Sequence, residues 1–461
     1  MKRIAIYGGS FNPPGVHHRL IAQAVAEIFD EVVILPCGPR PDKRTVSDID
    51  PLHRAAMADL TFHGLGTKVR VELFDLENST FTRNHEYDRI FGGADIEIWH
   101  VVGPDLVARG AHGDSMIHRV WQHGAALWQN ANFVVALGRG VELAAGDLPP
   151  HHLTLRPLMD SSSTDIRGRA FNREDISELV TPGVAEYIEK HGLYRGNRRA
   201  VSNFKTGTPR PLLFVDERNP EAQKIKEKFL PFEDVERPNM ILVVGGDGTM
   251  LHAIRKFWRL RLPFLGVNVG HLGFLLNDVR AEIAPEFLER EFILHHSPLL
   301  HVETETLFGE HRATLAFNDA WVEADHGKTG WFGVRLDQET VLERLVGSGI
   351  LAATPAGSTA YARAMGAMPL PIIANLLTVV GSNVSQPIGW RGICAPLSSE
   401  VEFFNADASG WRKMFGFVDG VPLGEVRRML VRASEIAAVE LAFLPEHDPM
   451  RKLLATQFPK Y

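Results

Sequence analysis

Short runs of apolar residues recur along the chain, each ending in a loop of glycine, proline or polar residues. Residues 2–7, 32–35, 99–102 and 132–137 read as strands, and apolar spacing over 20–29 predicts the helix joining the first two. A helix opens at Ser161, and another over 184–191 has Pro182 before it and Gly192 after it. This succession predicts a parallel sheet covered by helices. A second βα series follows, with strands at 212–215, 241–244 and 264–268 and a helix over 222–229. From about 299 the period changes to two, as in 299–304 and 437–441, which predicts antiparallel strands. The stretch between the two series has no apolar period and many breakers, as a linker does. The expected organisation is a first domain over 1–195, a linker over 196–210 and a second domain over 211–461. That second domain divides into an α/β lobe (211–298) and a β-rich lobe with a C-terminal return (299–461).

The richest stretch follows the 241–244 strand. It reads Gly245-Gly246-Asp247-Gly248-Thr249, and a helix starts directly after it. Glycines there predict positive φ and close approach of a ligand to the backbone. The helix start offers unpaired N–H groups to phosphate oxygens. A carboxylate among such amides either holds Mg²⁺ or takes a proton from an attacking hydroxyl. The plain alternative is a tight turn with Asp247 capping the helix.

The first strand ends in Gly8-Gly9-Ser10-Phe11-Asn12-Pro13-Pro14-Gly15, and His17-His18-Arg19 stands at the mouth of the next helix. Ligands of open parallel sheets sit at such strand ends. Ser161-Ser162-Ser163-Thr164-Asp165-Ile166-Arg167 places hydroxyls at a helix start, where they either cap it or hold phosphate.

Composition narrows the field. The chain has 461 residues and a formal charge of −7, with no basic block, which argues against a nucleic-acid partner. Two cysteines, Cys37 and Cys394, lack metal spacing and fit a reducing cytoplasm. No apolar run approaches the length of a membrane span. The twenty histidines lack the partners a zinc site needs.

Residues 1–195 resemble the nicotinate-nucleotide adenylyltransferases of the HxGH nucleotidyltransferase class. The resemblance rests on Gly8-Gly9-Ser10-Phe11-Asn12-Pro13, Gly103-Pro104-Asp105, Ser162-Ser163-Thr164-Asp165-Ile166-Arg167, Tyr187-Ile188 and His191-Gly192-Leu193-Tyr194. It implies a Rossmann-like domain that joins a pyridine mononucleotide to the AMP part of ATP. His18, Lys43 and Arg167 would then neutralise ATP phosphates, with Gly8, Gly9, Ser10, Phe11, His17, Ser162, Ser163 and Thr164 around them. Trp121 would stack the pyridine ring, with Asp105 near the mononucleotide. Where the class has His-x-Gly-His, this chain has Gly15-Val16-His17-His18, so His17 is the candidate to replace the first histidine.

Residues 210–445 resemble the NAD kinases through Gly-Gly-Asp-Gly-Thr, Asn268-x-Gly270-x-Leu272-Gly273-Phe274, Asn318-Asp319 and Thr359-Ala360-Tyr361. The resemblance implies phosphorylation of the adenosine-ribose 2′-hydroxyl of NAD, with ATP and Mg²⁺. Asp247 would act as base or metal contact, and Gly245, Gly246, Gly248 and Thr249 would hold phosphates. Asn268, Phe274, Asn318, Asp319, Thr359, Ala360, Tyr361 and Asp419 would bind the dinucleotide. It also implies a homo-oligomer formed through the kinase module. Ser348 stands where the family has Asp, Ala356 where it has a hydroxyl, and Gly366-Ala367-Met368-Pro369 where it has Gly-Gly-Pro. The leading expectation is therefore an α/β chain carrying two enzymes of NAD(P) biosynthesis. The competing ones are an NAD kinase with an inert first domain as scaffold, and a dinucleotide-binding sensor that turns nothing over.

Overall fold

A computed structural model of the chain describes residues 1–40, 49–138, 141–144, 146–156, 159, 161–194, 203–205, 207–270, 273–279, 283–325 and 327–457. The chain divides into two compact units, Met1–Val201 and Ser202–Tyr461. No helix among the described residues is long and apolar enough to cross a membrane.

The first unit holds six parallel strands: β1 (Lys2–Gly9), β2 (Glu31–Pro36), β3 (Val69–Val71), β4 (Ile96–Val102), β5 (Asn132–Ala136) and β6 (His152–Leu155). Their order is β3-β2-β1-β4-β5-β6. Ile4, Ala5, Ile6, Val32, Val33 and Ile34 are all buried, as strands covered on both faces require. Helix Val16–Ile28 packs Ile21, Ala22 and Val25 on one face, beside Val32 and Ile34. Tyr87 and Ile98 join Ile4, Ile6, Val33 and Leu35 on the other. The strand order reverses between β1 and β4, so their carboxyl ends open the crevice where this topology binds ligands.

Two strands escaped the sequence pattern. β3 is three half-buried residues, and β6 alternates between exposed and half-buried positions, so neither shows an apolar run. The helix also begins at Val16 rather than Leu20, because His17 and His18 are buried polar residues that interrupt the apolar period.

The second unit runs β7 (Asn203–Lys205), β8 (Pro211–Val215), β9 (Met240–Gly245), β10 (Phe264–Asn268), β11 (Glu291–Glu305), β12 (His311–Ala316), β13 (Asp319–Ala324) and β14 (Gly330–Leu336). It continues with β15 (Glu339–Gly347), β16 (Gly349–Ala353), β17 (Leu376–Ser382), β18 (Ile393–Pro396), β19 (Val401–Asn405), β20 (Met414–Val418), β21 (Val421–Glu425) and β22 (Arg428–Phe443). A ten-stranded mixed sheet has the path β15-β14-β19-β22-β10-β9-β8, with β11 joined to β22, and β12 and β7 paired with β11. A six-stranded antiparallel sheet has the order β18-β17-β16-β13-β20-β21. Their inner faces share a core that includes Phe332, Phe403, Leu345, Ile350 and Leu377.

Two expectations about boundaries change. Within the stretch read as linker, 196–202 and 206 lie outside the described residues, but Asn203–Lys205 is a strand paired with β11. The change of period at 299 is also no break between lobes. β11 runs straight through it, with a register shift between Pro298 and Leu300, and pairs with β22 on both sides. β22 in turn lies parallel to β10, so the parallel strands and the β-rich strands share one sheet.

Candidate active sites

In the first unit the loop after β1 is held by side chains that arrive from elsewhere in the sequence. Arg54, 2% exposed, donates through Nη2 to the carbonyls of Ser10 and Cys37, both at 2.6 Å. Arg167 Nη1 donates to the Asn12 carbonyl at 2.6 Å, Ser163 Oγ to the Pro13 carbonyl at 2.8 Å, and Tyr194 Oη to Asn12 Oδ1 at 2.6 Å. Phe11 takes φ 41°, a strained value for a side-chain-bearing residue. Its ring is clamped by Tyr7, His18 and Phe62, with centroids at 5.3, 5.1 and 5.5 Å.

His18 Nδ1 accepts the Gly15 N–H at 3.0 Å. In the neutral imidazole this leaves the proton on Nε2, which makes that nitrogen a donor. His17 lies beside it, ring centroids 3.8 Å apart, and its Nδ1 is 2.7 Å from Ser161 Oγ. A Cβ built on Gly15 would lie 2.7 Å from His17 Nδ1 and 2.9 Å from Ile166 Cδ1. The His17 ring therefore fills the space beside residue 15.

Gly8, Gly9, Ser10, Phe11, His17, His18, Ser163 and Arg167 thus gather around one loop at the crevice. Ser162 caps helix Ser163–Asn172 by accepting the Asp165 N–H at 3.1 Å, and Thr164 Oγ1 accepts from Arg167 Nη2 at 3.1 Å. Asp105 is exposed on the short helix directly after β4. Trp121 is half-buried, 6.3 Å from Phe133 and 6.0 Å from His100. His100 is 3% exposed, and burial pushes its pKa down to about 4, so it stays neutral. Lys43 lies outside the described residues. Arg54 lies in helix Pro51–Phe62, and no local pattern in the sequence marks it, since its partners lie 44 and 17 positions away.

In the second unit Asp247 is the first residue of helix Asp247–Phe257, directly after β9. Its Oδ2 accepts the Phe274 N–H at 3.0 Å and its Oδ1 the Leu275 N–H at 2.9 Å. Burial pushes its pKa up, against the opposing pull of those two N–H groups. The glycines around it are not in the positive-φ region, contrary to expectation. The requirement at Gly245 is steric, because a Cβ there would lie 2.3 Å from Thr249 Oγ1, whereas Gly246 and Gly248 face open space. Beside the helix start is a cleft of about 660 Å³ whose lining includes Gly248, Thr249 and the charged residues Arg218, Lys226, Lys256, Asp216 and Glu217.

The loop that supplies the two N–H groups begins at Asn268, whose Oδ1 accepts the Gly270 N–H at 2.9 Å. His271 and Leu272 lie outside the described residues. At its end Asn277, 0% exposed, donates through Nδ2 to the carbonyls of Gly266 and Ala442, both at 3.0 Å, and accepts the Leu444 N–H at 2.8 Å. Asn277 ties the loop to the end of β22, a role that nothing local in the sequence signals.

Asp419 sits at φ 44° and its carboxylate accepts the N–H groups of Phe317, Asn318 and Asp319 at 2.7, 2.7 and 3.2 Å. Asp319 is beside it and 3% exposed, and burial together with Asp419 pushes its pKa up to about 7. Thr354 Oγ1 donates to the Phe317 carbonyl at 2.9 Å, and a Cβ on Gly357 would lie 2.0 Å from Asn318 O, so this turn packs directly on the Asn318 backbone. Phe274 and Thr359 line one small cavity, with Ala356, Leu370, Pro449 and Leu453. Ala360 and Tyr361 are exposed, Tyr361 with its ring 5.2 Å from that of Trp321. Ser348 Oγ accepts from Asn383 Nδ2 at 3.1 Å. Of the residues expected to bind a dinucleotide, Asn318, Asp319 and Asp419 thus lie together and Phe274 and Thr359 share a cavity, while Asn268, Ala360 and Tyr361 lie at neither place. Among the described residues no group of three or more His, Cys, Asp or Glu is placed to hold a metal ion.

Comparison with known proteins agrees with this division. Residues 6–169 match the cytidylyltransferase-like family model, and residues 191–292 match the model of the ATP-NAD kinase N-terminal domain. The NAD kinase of Rhizorhabdus wittichii is 30% identical over 241 residues, 52% of this chain and 93% of that protein. That of Hyphomonas neptunium is 29% identical over 255 residues, 54% of this chain and 99% of that protein. Among solved structures, an Archaeoglobus fulgidus NAD kinase in complex with ATP is 18% identical, covering 53% of this chain and 98% of that one, with a TM-score of 0.42. Yeast NADH kinase complexed with NADH is 16% identical, covering 79% and 88%, with a TM-score of 0.43. On the identity it shares with nearly the whole Rhizorhabdus kinase, the chain belongs to the NAD kinase family and carries a cytidylyltransferase-like domain ahead of its kinase part.

Proposed function

We propose that the chain performs two successive reactions of NAD(P) synthesis. The kinase unit phosphorylates the adenosine-ribose 2′-hydroxyl of NAD, and the first unit transfers AMP from ATP to a pyridine mononucleotide. The observation that carries the kinase reading is the Asp247 carboxylate, oriented by two backbone N–H groups at a helix start beside a cleft that carries Arg218, Lys226 and Lys256. Its pKa, pushed up by burial, makes it a better base for the ribose hydroxyl. Each of its oxygens keeps a lone pair beyond the N–H it accepts, so one Mg²⁺ arriving with ATP fits there too. Such an ion neutralises phosphate charge. Gly245, Gly246, Gly248 and Thr249 would receive phosphate oxygens, and Arg218, Lys226 and Lys256 would offset their charge. The Asp319–Asp419 pair, Asn268, Phe274, Asn318, Thr359, Ala360 and Tyr361 would hold the dinucleotide.

In the first unit His18 would present its Nε2–H, and Arg167 its remaining donors, to ATP phosphates. The His17 ring, lying against Gly15, takes the place left open by the altered motif. Gln122 is exposed beside Trp121 and offers both a donor and an acceptor, which an amide can satisfy. That supports nicotinamide mononucleotide as a usable substrate, whose product the kinase unit can take directly. A cytoplasmic homo-oligomer assembled through the kinase unit belongs to the same reading.

Purified protein incubated with ATP, Mg²⁺ and either mononucleotide, or with NAD, tests the whole. NADP from NAD and a dinucleotide from a mononucleotide are expected. Turnover of NAD alone would reduce the first unit to a scaffold, and turnover of nothing would favour a sensor. A preference for nicotinate above ~10³-fold in kcat/KM, about 4 kcal/mol, would sink the direct relay.

A further inference from the structure

The loop that holds Asp247 is anchored from the far end of the chain. On helix Pro449–Gln457, Lys452 has a side chain only 9% exposed. Its Nζ donates to the Gly273 carbonyl at 2.8 Å and the Leu276 carbonyl at 2.5 Å, and lies 3.0 Å from Asp278 Oδ2. Asp278 Oδ1 accepts from Asn268 Nδ2 at 2.8 Å, and Asn268 Oδ1 accepts the Gly270 N–H. Polar contacts thus run from the last helix around both arms of the loop.

The peptide geometry makes this more than a surface tie. The Gly273 carbonyl and the Phe274 N–H belong to one planar unit. Lys452 holds its oxygen while Asp247 Oδ2 accepts its N–H. The Leu276 carbonyl and the Asn277 N–H likewise share a plane, whose N–H donates to Gly266 O at 2.9 Å. A cation on the oxygen fixes each plane and strengthens the N–H on its far side. Phe274 and Leu275 are thereby held between two pinned peptides.

We propose that Lys452 is a positioning residue for phosphoryl transfer: it aims the Asp247 carboxylate through the 273–274 peptide, and the C-terminal helix straps the active centre together. This rests on the reading of Asp247 given above. Removing the ammonium leaves the carboxylate with donors free to turn, and misplacement by about 1 Å costs on the order of 10²-fold in rate.

The test compares full-length Lys452→Met, Lys452→Arg, Asp278→Asn and Asp247→Asn, each with steady-state NAD kinase assays and a melting curve. Lys452→Met is expected to lower kcat by about 10- to 10²-fold, with KM for NAD and ATP within about threefold. Lys452→Arg should recover most of the loss, because a guanidinium can also reach two carbonyls and a carboxylate. An ion pair that serves stability alone would lower the melting temperature and leave kcat unchanged. Retention of kcat by Lys452→Met, or a rise in KM at constant kcat, overturns the proposal. If Lys452→Met does not fold, Asp278→Asn reads the same chain of contacts from its other end, with reduced kcat expected and unchanged kcat overturning it. Should Asp247→Asn stay active, the reading of Asp247 fails first. Should it be inactive while Lys452→Met is normal, only the positioning role falls.

Discussion

The two candidate sites fix charge in different ways. In the first unit cations are held by main-chain oxygens: Arg54 by Ser10 and Cys37, Arg167 by Asn12. In the kinase unit carboxylates are held by main-chain N–H groups: Asp247 by residues 274 and 275, Asp419 by residues 317 to 319. Cations on carbonyls suit a site that receives anions and needs positioning more than a base. Carboxylates on amides stay oriented while keeping lone pairs for a metal or a hydroxyl proton. The first unit thus holds cations on carbonyls, whereas the kinase unit holds carboxylates on amides and, behind them, Lys452 on carbonyls.

The largest expected effects separate the two sites. Asp247→Asn keeps the shape but removes the basic carboxylate, and NADP formation should fall by about 10²-fold or more. Dinucleotide synthesis should be nearly unchanged, and a variant that retains most kinase activity removes Asp247 from the mechanism. The mirror experiment is His18→Ala, which should cost dinucleotide synthesis on the order of 10²-fold and leave NADP formation alone. His17→Ala should weaken the first reaction by about tenfold, less than His18→Ala. Wild-type rates for His17→Ala would make His17 a packing residue beside Gly15.

Smaller effects sharpen the picture of the kinase loop. Gly245→Ala should destabilise the unit by about 1–3 kcal/mol in denaturant unfolding, because its Cβ would press on Thr249. Gly246→Ala meets open space and should stay within about 0.5 kcal/mol. Equal values for the two would show that Thr249 moves aside freely.

A pH-dependent effect concerns Asp319. Its folded-state pKa is raised to about 7, while an unfolded aspartate titrates near about 3.9. Its stabilising contribution is complete below the unfolded value and is lost as pH rises through the folded one. Asp319→Asn abolishes that titration, so its melting temperature relative to wild type should rise from pH 5 to pH 8, on the order of a few degrees. An offset that is the same at both pH values would mean Asp319 does not titrate in this window.

The sequence by itself determined the strand–turn–helix units, because burial on both faces of a parallel strand writes an apolar run into adjacent residues. Phe264–Asn268 is a strand over the residues the pattern marks, and the Asp247 turn lies where the apolar run of β9 ends. The gathering of Gly8, Phe11 and His18 at one crevice was legible for the same reason, since they lie at one strand end. Only the tertiary structure decided what holds these groups in place. Lys452 is 179 positions from Gly273, Asn277 is 165 from Ala442, and Arg54 is 44 from Ser10. A single lysine, asparagine or arginine carries no local period, and its partners are backbone atoms that every residue type shares. Short β3 and β6 were hidden because sheet edges bury too little to demand an apolar run, and the shared sheet across residue 299 because pairing between β11 and β22 is set by contacts distant in sequence.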